Sequence, residues 1–300
     1  LAHRYNRPGY EIVDHYTYAL CGDGDLMEGV AQEASSLAGH LGLGKLIVLY
    51  DSNQISIEGG TDLAFGEDVG MRYEAYGWHV QRINGHDFTE IREAIEAAQA
   101  EKERPSLIIA RTRIGYGSPK ENSEESHGAP LGPEGVKALK EKLGLPQEEF
   151  YVPQEVYDYF AQVREKQINR RQEWESLFAQ WSQEFPELRQ QWDAAQNWAL
   201  PEDIAEVLPR FEVGQSIATR SASGEVLQKL ADALPYLVGG SADLAPSTKT
   251  YLEGKGSVAP GDFSGRNLHF GVREHGMGAI LNGMSLYGGL RVFGATFLVF

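Results

Sequence analysis

Short apolar, β-branched runs alternate along this chain with segments of helical spacing. Tyr16-Thr17-Tyr18-Ala19-Leu20-Cys21 and Leu46-Ile47-Val48-Leu49-Tyr50 each read as a buried parallel strand, and residues 28–41 between them have the spacing of a helix. Residues 78–83 form a further expected strand, Asn84-Gly85 a turn, and Asp87 or Thr89 the cap of a helix running to about Lys102. Residues 106–111 give another buried strand, followed by a Gly/Ser/Glu-rich loop from about 115 to 132. Loops longer than about 12–15 residues in a compact domain are often functional. This one carries His127.

The pattern changes near residue 146. Four of the five tryptophans (Trp174, Trp181, Trp192, Trp198) sit among Gln, Glu and Arg at helical spacing, which indicates helix packing rather than a ligand cage. A second alternating unit starts near Ile217. Its expected elements are a helix to about Ala233, a strand at 236–239, a Gly/Ser/Pro loop to about 265, a strand at 268–270, a helix at 272–287 and a strand at 292–300. The class is therefore α/β: two similar units of parallel sheet flanked by helices, 1–145 and 216–300, joined by a helical connector at 146–215.

Composition narrows the function classes. Of the residues 42% are apolar and 23% charged, as in a globular chain, with no apolar run of spanning length and no signal peptide. This argues against a membrane partner. A net charge of −16 argues against nonspecific nucleic-acid binding, while local positive sites can still receive anionic substrates. Cys21, the single cysteine, cannot form an internal disulfide, which fits a reducing cytoplasm.

Candidate chemistry concentrates after the first two strands. Gly22-Asp23-Gly24 follows one, and Asn53, thirty residues after Asp23, follows the other in Asp51-Ser52-Asn53. Ligands bind at the carboxyl ends of parallel strands, so Asp23 and Asn53 should emerge at one rim. A carboxylate and an amide oxygen make a hard, incomplete shell, the kind Mg²⁺ takes when a diphosphate fills its remaining positions. Glycines beside Asp23 let backbone N–H groups approach phosphate oxygens. An EF-hand fails because Met27 and Glu28 stand where Asp or Asn and Gly are needed. A dinucleotide-binding turn fails because Met27 replaces its third glycine.

These motifs resemble those of the transketolases. The resemblance rests on 22-GDGDLMEG-29, 33-EASSLAGH-40 and 51-DSNQI-55, and continues through 72-RYEAYGW-78, 114-IGYGS-118 and 127-HGAPL-131. It resumes at 239-GGSADLAPS-247 and 271-GVREHGMGAI-280, and is weakest between about 145 and 215. It implies the thiamine-diphosphate-binding fold, with a diphosphate/metal-binding domain at 1–145 and the start of a pyrimidine-binding domain from 216. A leading segment, the rest of the second domain and a third domain are expected outside this sequence. The implied activity is reversible transfer of a two-carbon ketol group from a ketose phosphate to an aldose phosphate through the cofactor's C2 carbanion, in the pentose phosphate pathway or the Calvin cycle. The implied protein is a cytoplasmic homodimer, or a plastid one, with its active sites at the subunit interface.

The resemblance also assigns residues. Asp23, the Asn53 side-chain oxygen and the Ile55 carbonyl would hold Mg²⁺, or Ca²⁺ or Mn²⁺ in its place, and the Gly24 N–H would face the diphosphate. Glu274 would be the catalytic carboxylate on the aminopyrimidine nitrogen, against the bland reading of a capping glutamate paired with Arg273. Glu28 and Glu33 would join an acidic cluster approaching Glu274 across the dimer; first-turn carboxylates favoured by the helix dipole are the alternative. His127 would polarise oxygen and move protons near the diphosphate and the reacting carbonyl. Arg220 and Ser247 would hold the sugar phosphate. Asp243 would face the cofactor, and Phe297 and Phe300 would pack around the aminopyrimidine, Phe300 being the better stacking candidate. Other readings stay open: a dihydroxyacetone synthase, a deoxyxylulose-phosphate synthase, or a non-catalytic transketolase-like subunit.

Overall fold

The computed structural model describes all 300 residues, and their contacts divide into two compact bodies. One is His15–Glu173; the other combines Leu1–Asp14 with Trp174–Phe300. The first fourteen residues thus pack with the later half of the chain, whereas the sequence pattern alone groups them with the strands that follow.

The first body holds four parallel strands, β1 (Thr17–Gly22), β2 (Leu46–Ser52), β3 (His79–Asn84) and β4 (Ser106–Arg111), in the order β1-β2-β4-β3. Its helices are α1 (Asp23–Met27), α2 (Gly29–Leu41), α3 (Val69–Ala75), α4 (Phe88–Ala100) and α5 (Gly132–Leu143). On one face Leu26, Ala38, Tyr50, Val69, Tyr73, Trp78 and Leu107 form a core; on the other, Ile47 and Ile108 meet Ala94 and Ala98 of α4. Each fully buried large side chain there stabilises the fold by about 1.5–3 kcal/mol. Ser35 donates to the Tyr73 hydroxyl at 2.9 Å and its carbonyl accepts from Trp78 Nε1 at 2.9 Å, so the polar atoms in this core are satisfied. Asp87 caps α4 by accepting from the Thr89 and Glu90 amides.

Several expectations need correction here. β1 is a strand but not a buried one: it pairs only with β2, and Tyr18 and Leu20 are exposed, Leu20 at 83%. Position at a sheet edge, not composition, decides its burial. The expected helix over 28–41 is α2, Gly29–Leu41; Glu28, in an extended conformation (φ −64°, ψ 133°), separates it from the short α1 that precedes it. Helix α5 was not expected; it is amphipathic but has no buried residue.

The second body contains the end of α6 (Gln154–Glu184), α7 (Pro186–Gln196), α8 (Thr219–Ala233), α9 (Ala245–Thr248) and α10 (Glu274–Tyr287). Three parallel strands, β5 (Leu237–Ser241), β6 (Asn267–His269) and β7 (Arg291–Ala295), run in the order β6-β5-β7. The helix-packing reading of the tryptophans holds for three of them. Trp181 is fully buried against Tyr5, Phe178 and Trp192, and Trp174 stacks on Phe178. Trp198 lies beyond α7 beneath the Arg291 guanidinium instead. The last expected strand stops at Ala295; residues 296–300 are irregular, with Leu298, Val299 and Phe300 exposed. No helix is long and apolar enough to cross a membrane.

Candidate functional site

In the first sheet, parallel registry brings four strand ends to one level: Gly22 faces Asp51, Ser52 faces Arg111, and Arg111 faces Asn84. The residues just beyond form a single rim. Asp23 begins α1 there, with only 4% of its surface exposed. Its Oδ1 accepts from the Tyr50 hydroxyl at 2.6 Å and its Oδ2 from the Gln54 amide at 3.0 Å. Both partners are uncharged. Asn53 Oδ1 accepts from the Ile55 amide at 2.9 Å, a local turn made by an Asn side chain. Gln54 between them has φ +62°, a left-handed conformation that turns its amide back onto Asp23.

Negative charge is dense at this rim. The Cys21 thiol is pushed up to about 12, first by burial and then by the carboxylates of Asp25, Asp23 and Asp51. The Tyr50 hydroxyl is also pushed well above its ordinary value, by burial and then by its hydrogen bond to Asp23. A buried carboxylate with neutral partners, set among other carboxylates, fits a cation. No group of three or more His, Cys, Asp or Glu side chains is arranged to hold a metal ion. Asp23, Asn53 and the Ile55 carbonyl could offer a metal only part of a hard oxygen shell, its other positions being left to phosphate and water. Gly24 points the same way: its φ is not positive, and a Cβ there would meet nothing within 4 Å. Neither backbone nor packing in this chain requires glycine at 24. What its missing side chain preserves is open space beside its N–H.

A cavity of about 220 Å³ adjoins Asp23, lined also by Tyr50, Ser52, Gln54, Asp68 and Arg82. Sequence reasoning missed Tyr50 and Gln54. The available signal was Tyr50 itself, since a tyrosine at a buried strand position needs a partner for its hydroxyl. His127 is exposed in the loop before α5 and does not line this cavity. Its loop is nevertheless tied down: Arg113 pairs with Glu121 at 2.7 Å, Glu121 accepts from the Gly117 amide at 2.8 Å, and Ser126 Oγ donates to the Lys120 carbonyl. The Gly117 amide, then Lys142, hold the Glu121 carboxyl below its ordinary range. His86 stacks on Tyr116 with ring centroids 4.2 Å apart and accepts from the Arg113 amide. Glu28 is exposed, and its carbonyl begins α2; Glu33 is half-buried within that helix.

The second sheet has its own rim. Asp243 follows β5 with φ +59° and is exposed; Glu274, half-buried, opens α10 shortly after β6; Phe297 and Phe300 follow β7. The Ala242 amide donates to the Ala295 carbonyl at 3.1 Å, joining two of these strand ends. The Phe297 and Phe300 rings are near-parallel at 6.4 Å, so each stacking candidate is partnered by the other in this chain. Arg220, in the first turn of α8, and Ser247, in α9, are both exposed. Their neighbours Ser221 and Pro246 line one groove of about 450 Å³ between these helices, with Lys249 and Glu225.

Comparison with known proteins decides the family. A family model described as the transketolase thiamine diphosphate binding domain matches residues 1–201, and one described as the transketolase pyrimidine binding domain matches 215–300. The chain belongs to the transketolase family. It is 54% identical over its whole length to a transketolase of Halalkalibacterium halodurans and 51% identical to one of Bacillus subtilis, covering 45% and 46% of those proteins. Among solved structures it resembles the transketolase of Leishmania mexicana (TM-score 0.96, 44% identity, 99% of this chain and 45% of that one). It also resembles a Pichia stipitis transketolase in complex with sedoheptulose 7-phosphate (TM-score 0.95, 42% identity, 99% of this chain and 45% of that one). The chain thus spans under half the length of these transketolases, and both of its sheets have the family's thiamine-diphosphate-binding fold.

Proposed function

We propose that this chain supplies the diphosphate-and-metal half and part of the pyrimidine half of a transketolase that moves a two-carbon ketol group from a ketose phosphate to an aldose phosphate. The observation that carries this reading is the buried, neutrally partnered Asp23 at a rim shared with Asn53. Bound there, thiamine diphosphate would supply the carbon nucleophile that this chemistry needs. Asp23, Asn53 and the Ile55 carbonyl would hold Mg²⁺, and the Gly24 N–H would donate to the diphosphate. Glu274 would hold a proton at the aminopyrimidine nitrogen, with Asp243 facing the cofactor and Phe297 and Phe300 packing around its ring. His127 would move a proton at the substrate oxygen. Arg220 and Ser247 would bind the sugar phosphate through charge-assisted hydrogen bonds.

The diphosphate rim and the Glu274 rim belong to different bodies, which suits a homodimer pairing the rim of one chain with the complementary rim of its partner; Glu28 and Glu33 would lie at that junction. A single half-buried cysteine suits a reducing compartment such as the cytoplasm or a plastid. No observation favours a dihydroxyacetone synthase or a non-catalytic subunit over this reading. The test is conversion of xylulose 5-phosphate and ribose 5-phosphate by the full-length protein, with thiamine diphosphate and Mg²⁺ added or withheld. Turnover that needs both is expected. A folded, cofactor-binding dimer without turnover would overturn the proposal.

A further inference from the structure

We infer that Tyr50 is a positioning residue for the metal site, aiming the Asp23 carboxylate at the cation. The inference rests on the metal reading of Asp23 and goes beyond it. A site in which the protein provides one carboxylate and two neutral oxygens depends strongly on where that carboxylate points, because no second charged ligand can compensate for a misdirected one.

Two donors fix Asp23 here. The Tyr50 hydroxyl binds Oδ1 at 2.6 Å and the Gln54 amide binds Oδ2 at 3.0 Å, so the carboxylate plane is held at both ends. Each oxygen keeps a lone pair for a cation. The two anchors differ in stiffness. Gln54 lies in the irregular stretch after β2, and the residue is exposed. Tyr50 is 4% exposed and comes from the middle of the sheet, packed in the core cluster with Leu26, Tyr73, Trp78 and Leu107. Its ring cannot swing without disturbing that core, so the hydroxyl is a fixed point from which the carboxylate hangs. Register places Tyr50 opposite Cys21, two residues before Asp23, so the hydroxyl reaches the carboxylate across the β1–β2 pair.

The experiment is Tyr50→Phe in the full-length protein, which keeps the ring in the core and removes only the hydroxyl. Mg²⁺ affinity is read by titrating the metal against thiamine diphosphate binding, and thermal unfolding is measured without cofactor. The expected result is an apparent Mg²⁺ affinity weaker by about ten-fold or more, with kcat restored at saturating Mg²⁺ and cofactor-free unfolding shifted by only a few degrees. Unchanged Mg²⁺ affinity, or a kcat that stays low at saturating metal, would overturn the inference. Asp23→Asn run alongside separates the two readings. If it leaves Mg²⁺-dependent cofactor binding intact, the metal assignment itself falls; if it abolishes that binding while Tyr50→Phe does nothing, only the positioning role falls.

Discussion

The two strand-end rims of this molecule are built in different ways. At the first, the chemistry-bearing oxygens are already engaged within the chain: Asp23 by Tyr50 and Gln54, Asn53 by Ile55. At the second, Asp243 is exposed, Glu274 is half-buried, and the strand β7 gives way to a segment in which Leu298 and Phe300 face solvent. Pre-organisation costs a folded chain little when local turns and a core tyrosine provide it, and it lowers the penalty of binding a cation. Stacking around an aromatic ring instead needs surfaces on both sides of that ring. The first rim's oxygens are held within one body, whereas at the second Asp243 is exposed and Glu274 half-buried.

Breaking the second rim should cost the most. Glu274→Gln in the full-length protein is expected to lower kcat by about 10²–10⁴-fold while Mg²⁺-dependent cofactor binding, measured by titration, persists. An unchanged kcat, or loss of Mg²⁺-dependent cofactor binding, would overturn the role given to Glu274.

Cys21 reports on the first rim without mutation. With its thiol pushed up to about 12, its alkylation by iodoacetamide at pH 8 should run about a thousand-fold slower than that of a free thiol. Mass spectrometry of the timed reaction checks this. Because the folded value lies above the ordinary one, the unfolded chain ionises first as pH rises, so this group withdraws stability above about pH 8.5.

Asp23→Asn is expected to weaken Mg²⁺-dependent cofactor binding by about a hundred-fold and to leave the second sheet's unfolding unchanged. Calorimetric titration is the measurement.

The smallest effect is structural. Asp68 caps α3 by accepting from the Met71 amide at 3.0 Å and pairs with Arg82 at 2.9 Å; the amide bond, more than the guanidinium, holds its carboxyl below the ordinary range. Asp68→Ala should cost about 1 kcal/mol, read by denaturant melts. That contribution is present above the ordinary carboxyl pKa of about 3.9 and is lost as pH falls through the lower folded value.

How much could be seen beforehand differs between the rims as well. Asp23 and Asn53 were legible because strand periodicity and chain direction alone place both at a carboxyl edge. Gln54 was not, since a backbone amide turned onto a distant carboxylate has no signature in spacing, and Tyr50 signalled only that its hydroxyl needs a partner, not which one. Glu274, His127 and Arg220 were legible only through likeness to a family; the residues around them are not a pattern that chemistry alone would single out.

The sequence by itself determined the alternation of strands and helices, the parallel class, and the residues at the strand ends, because these follow from local periodicity and from the geometry of one strand. Tertiary structure decided which strands are buried, as the exposed Leu20 of β1 demonstrates. It also brought the first fourteen residues onto Trp181 and hung Asp23 from Tyr50. Each of these depends on contacts between residues far apart in the chain, and pairings of that kind are set by packing, not by any single segment's preference.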